Sequence, residues 1–162
     1  MIDSLQKKLI LAFFILFIFN NNAIANEQVQ VNSIQALELT LAKHKGDVIY
    51  VDFWASWCVP CRKSFPWMNA IQKKYQSQGF TVISVNLDAN DDLAQKFLKK
   101  TPASFAVIYD PKGKIAKHFA IQGMPSSMLI NREGKITKRH TGFFTKKIAQ
   151  YQFEIEQLLV IK

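Results

Sequence analysis

The chain has two cysteines, Cys58 and Cys61, inside the stretch "VDFWASWCVPCRK" from Val51 to Lys63. Two thiols three positions apart can clip a metal, staple a turn or exchange electrons. A structural zinc site needs about four ligands. His44, His118 and His140 are the only histidines and share no ligand-type spacing, so each reads as a surface residue. A purely structural bridge over so small a loop would remove little entropy from the unfolded chain. Thiol exchange fits better: the pair follows an apolar run and opens a helical pattern, where unpaired backbone N–H groups and the helix dipole favour a thiolate. Cys58, at the helix start, is the expected nucleophile and the more exposed of the two. Cys61, one turn in, is placed to resolve a mixed disulfide, and Pro60 stiffens the first turn where a missing N–H costs nothing.

The elements that must position this pair are legible around it. "VIYVDFW", Val48 to Trp54, is almost continuously apolar and predicts a strand buried on both faces. The helical pattern from Cys58 to Gln78 carries Phe65, Met68, Ile71 and Tyr75 on one side, stops at Gly79, and has Pro66 inside it, which predicts a kink. A short first helix capped by Ser33 precedes them. After them come a strand at Phe80 to Leu87 and a helix through Leu93, Ala94, Phe97 and Leu98. Next are a strand "FAVIY", a few helical residues, and a hairpin of "SSMLI" and "KITKRH" across the turn "NREG". A helix from Thr145 to Val160 ends the chain. The predicted class is α/β, one domain with a central mixed sheet flanked by helices.

Asp52 is the exception in its strand. An isolated carboxylate there would cost several kcal/mol, so it is expected to be kept for a task, as the proton acceptor for Cys61, with its pKa raised by desolvation. Trp57 is expected to shield the sulfurs at the surface, while Phe53 and Trp54 belong to the core. Arg62 and Lys63 are read as a solvated face, and Phe143 and Phe144 as core, the alternative being the rim of a client groove.

Lys7 and Lys8 precede the apolar run "LILAFFILFIF", Leu9 to Phe19, and "AIA" closes at Ala25. This is the pattern of a secretory signal peptide over residues 1–25, the alternative being an uncleaved tether through residues 9–19. Residues 26–162, 137 positions, suit one domain. They hold 19 basic and 11 acidic residues, a net charge of +8. The lysines are scattered with no aromatic–arginine alternation, which points to acidic partner proteins and away from nucleic acid.

"VDFWASWCVPC" resembles the active-site segment of thioredoxin in every residue except Ser56 and Val59. With "GMP" and "LINREGKI…G" following in order, the chain from about Val48 onward is similar to the TlpA/ResA-type thioredoxin-like proteins. That resemblance implies the thioredoxin-like fold and a thiol–disulfide oxidoreductase facing the bacterial periplasm. It further implies a reductant of particular client proteins, re-reduced by a membrane electron donor and needing no cofactor; cytochrome c apoproteins, copper-site assembly proteins and general misoxidised proteins all fit as clients. It also places Asp52 at the buried aspartate of thioredoxin and Pro125 at the family's cis-proline facing the cysteines. A cis bond there would leave the N–H and carbonyl of Met124 for a client strand, with the Met124 side chain touching the client. Trp57 and Pro60 join Met124 as expected client contacts. Two other readings of the same thiols are a disulfide-forming oxidant and a two-coordinate Cu(I) carrier.

Overall fold

A computed structural model describes residues 32–161. The expected signal segment and cleavage site lie outside those residues. Among the described residues no helix is long and apolar enough to cross a membrane.

Chain order is α1 (Ser33–Lys43), β1 (Val48–Trp54), α2 (Val59–Tyr75), β2 (Phe80–Asn86), α3 (Asp91–Lys100), β3 (Ala106–Tyr109), α4 (Lys114–His118), β4 (Ser126–Ile130), β5 (Ile136–Thr141) and α5 (Ile148–Val160). One five-stranded sheet has the order β3-β2-β1-β4-β5. β1 pairs in parallel with β2, and β2 with β3, because helices cross between them. β4 lies antiparallel to both β1 and β5, the latter through the tight turn predicted from "NREG". This is the mixed sheet of the thioredoxin-like fold.

β1 lies at the centre of the sheet, and all seven of its residues are buried, as are the seven of β2. Alternation splits them between two cores. Val48, Tyr50 and Trp54 face the side that also holds Cys58, Cys61, Phe65 and Met68. Ile49, Val51 and Phe53 face the side of α1 and α4.

One cap differs from expectation. Asn32, not Ser33, caps α1: its side-chain oxygen accepts from the amide of Gln35, while Ser33 is the first helical residue. The Ser33 hydroxyl instead donates to Asp110. Pro66 lies within α2 without ending it, and Gly79, at φ 76°, closes the turn that follows.

Candidate functional site

Cys58 caps α2 with its own sulfur. Its backbone is extended, and the N–H of Cys61 donates to Sγ at 3.3 Å. An amide aimed at sulfur from the positive end of a 17-residue helix stabilises negative charge on that atom. Cys58 and Cys61 are joined as a disulfide. The expected order of exposure holds, but both are buried: Cys58 is 5% exposed and Cys61 0%. Pro60 occupies the first turn and is exposed, as is Val59.

Asp52 points, by strand alternation, to the face that carries the cysteines. It is 2% exposed, and its Oδ2 has no hydrogen-bond partner among the described residues. Its neighbours across the sheet are Ser84 on β2 and Ser127 on β4, neither of them charged. Burial pushes its carboxyl well above the usual carboxylate range. Burial, and secondarily the Asp52 carboxylate, also raise the Tyr50 phenol on the same face.

A second buried carboxylate, overlooked in the sequence, fixes the loop between β1 and α2. Asp88 is fully buried and accepts from the Ser56 amide (2.9 Å), the Ser56 hydroxyl (2.9 Å) and the Asn86 side-chain amide (2.8 Å). The end of β2 thereby holds Ser56, two residues before the first cysteine. Asp88→Ala leaves these donors without their acceptor. We expect a loss of about 3 kcal/mol in the unfolding free energy of the oxidised protein, measured by urea denaturation.

The Met124–Pro125 bond is cis. Pro125 is buried and Met124 half-buried, packed against the cluster that contains both cysteines. Among the described residues no hydrogen bond uses the Met124 amide or carbonyl. The Pro125 carbonyl accepts from Gly142 N–H at 2.8 Å. Gly142 takes φ 81°, and a Cβ added there would sit 2.8 Å from the Phe144 ring. This turn separates the fates of two phenylalanines read as core. Phe143 packs on Trp67 and Tyr151, with centroids 5.5 and 5.9 Å away. Phe144 turns outward and is 46% exposed, a correction to the core assignment. Trp57 is 65% exposed, and Arg62 and Lys63 are solvated as expected, while Phe53 and Trp54 are fully buried.

His140 also departs from the surface assignment. Its register partner on β4 is Ser127, which turns the ring under α5, where Nδ1 lies 3.3 Å from the Ser127 hydroxyl and Nε2 2.7 Å from Glu154. His44 pairs with Asp47 at a helix end, and His118 is the last residue of α4. Among the described residues no group of three His, Cys, Asp or Glu side chains could hold a metal ion.

The family model described as Redoxin matches residues 24–154. The thiol-disulfide oxidoreductase ResA of Bacillus thuringiensis subsp. konkukian is 32% identical over 117 residues, which cover 72% of this chain and 68% of that protein. ResA of Bacillus subtilis is 32% identical over 110 residues, 68% of this chain and 62% of that one. A solved Chlorobium tepidum structure, described as a putative thiol:disulfide interchange protein DsbE, superposes with a TM-score of 0.72 at 48% identity, covering 74% of this chain and 84% of that one.

Proposed function

The chain belongs to the Redoxin family and is a redox enzyme, and from that premise we propose that it reduces disulfides of specific client proteins by dithiol exchange at Cys58 and Cys61. The observation that carries this reading is the sulfur-capped helix: the atom that must become a thiolate is the one that receives a backbone N–H at the helix start.

In the reduced enzyme the Cys58 thiolate attacks one sulfur of a client disulfide. A bond forms between Cys58 and that sulfur, and the other client sulfur leaves as a thiolate. Asp52 takes the proton of Cys61, whose thiolate attacks the Cys58 sulfur, forms the Cys58–Cys61 bond and releases the second client thiolate. Two electrons pass to the client, and an external dithiol donor of the membrane returns them to the enzyme. The client strand is held by the unpaired main-chain groups of Met124 beside Pro125, as in strand addition, with Trp57, Pro60 and the Met124 side chain touching it. The basic-then-apolar start of the sequence supports export to the periplasm, with residues 9–19 either removed or kept as a tether. Cytochrome c apoproteins, copper-site assembly proteins and misoxidised proteins in general are all clients that this chemistry would serve.

Two measurements on the chain test this. Cys61→Ser, unable to resolve, should hold a client as a mixed disulfide that dithiothreitol releases, while the Cys58→Ser, Cys61→Ser double variant holds none. Equilibration of the wild type with defined thiol–disulfide buffers should give a potential more negative than about −200 mV. A value near roughly −120 mV reverses the direction of electron flow.

A further inference from the structure

Resting on the exchange reading above, we infer that the cleft beside Pro60 selects client segments that carry an acidic residue next to an apolar one, close to the reacting cysteine. The cleft holds about 270 Å³ and is lined by Pro60, Lys63, Phe143, Phe144, Thr145 and Lys146. One wall is therefore Pro60, one of the two residues between the cysteines, with Lys63 one turn further along α2. The opposite wall is the segment that follows β5.

Its chemistry is two-part. Phe144 lines the cleft with an exposed ring, and Trp57 and Val59, on either side of Cys58 in the chain, are 65% and 51% exposed. Large apolar side chains left exposed on the segments next to a reactive pair point to contact with a client rather than to packing. Lys63 and Lys146 line the cleft, Lys147 holds its Nζ 5.6 Å from the centre of the Phe144 ring, and Arg62 is exposed one position before Lys63. Among the described residues no carboxylate lines the cleft. The ion pairs among the described residues are His44–Asp47, Lys74–Glu156 and His140–Glu154, so none of these four cations is neutralised within the described fold. A basic client segment would meet like charge with no carboxylate to offset it in this cleft, and a wholly apolar one would make no use of the lysines. An acid beside an apolar residue satisfies both parts.

The position of the wall is held through its own backbone amides. The Gly142 N–H is held by the Pro125 carbonyl, and the Phe144 N–H is directed at the Tyr151 hydroxyl at 3.4 Å. The cleft thus has a set distance from the loop that carries Met124. A client strand paired with Met124 would pass the lysines at a fixed offset from its cysteine.

The test uses the full chain and two disulfide-bonded peptides that differ only beside the cysteine, Asp-Phe in one and Lys-Phe in the other, with 2-hydroxyethyl disulfide as a neutral small substrate. With the chain first reduced by dithiothreitol and the reagent removed, the acidic peptide should oxidise it at low salt with a second-order rate constant about tenfold higher, since two or three exposed charge pairs add modest increments each. The ratio should fall toward one at high salt as screening lengths shrink. In Lys63→Glu, Lys146→Glu the ratio should invert. Equal rates for the two peptides in the wild type, or a ratio unmoved by salt and by the charge reversal, overturn the inference while leaving exchange itself intact. A wild-type chain inert even toward 2-hydroxyethyl disulfide removes the exchange reading, and the inference with it.

Discussion

Cys58→Ser is expected to lower the rate of client disulfide reduction by at least about 10³-fold, to the background of the assay, because a serine hydroxyl neither ionises near neutral pH nor forms the mixed disulfide. Its fold should survive. Cys58 lies at a helix N-cap, where serine is among the favoured residues, and its sulfur already accepts the Cys61 amide as a serine oxygen would. Circular dichroism and urea unfolding of Cys58→Ser should therefore match the reduced wild type while activity is gone. Retained turnover in Cys58→Ser would move the attacking sulfur to Cys61, which is fully buried.

Asp52→Asn is expected to act in two opposite directions. The rate of mixed-disulfide resolution should fall by about 10²-fold, the usual worth of a positioned proton acceptor, and should lose its dependence on pH over the range in which Asp52 titrates. Stability should move the other way. The unfolded carboxyl ionises near its ordinary value, whereas in the fold burial holds it protonated to higher pH. Between those two values the native state binds more protons than the unfolded state, so wild-type stability declines as pH rises through that window and levels off above the folded pKa. The amide that replaces the carboxyl carries no such charge. Asp52→Asn should therefore be more stable than wild type at neutral and alkaline pH, by about 1.4 kcal/mol for each unit by which burial raises the carboxyl, with the advantage fading near roughly pH 4. Urea titrations of the oxidised proteins at several pH values read this directly. Equal stability at every pH would mean that Asp52 ionises in the fold as freely as in the unfolded chain.

What the sequence displayed and what it concealed follow from how far apart the interacting residues lie. Asp52 stood out because a carboxylate interrupts a strand that is otherwise apolar, and the cysteine pair because strand, turn and helix start are contiguous around it. Asp88 did not stand out. An aspartate just past a strand end looks like an ordinary turn residue, and its meaning emerges only when Ser56, 32 residues earlier, is folded over it. His140 read as a lone surface imidazole because its partners come from two other elements, Ser127 on β4 and Glu154 on α5. The outward turn of Phe144 depends on the left-handed backbone of Gly142, and two adjacent phenylalanines carry no sign of which will be buried. Alternation and helical period revealed the layers; contacts between side chains distant in the chain had no such periodic signal.

The backbone bond from Gly142 to Pro125 carries the pairing of β4 with β5 one step further, into the two loops beside the sulfurs. It joins the two loops through peptide groups alone, so the exposed residues hung on the second loop, Phe144 to Lys147, are free to vary without disturbing the frame that sets their distance from the sulfurs. Part of the address of the enzyme is then written apart from its chemistry. A lineage could redirect this catalyst to a new protein by rewriting a few surface letters, and a protein engineer could do so by transplanting them.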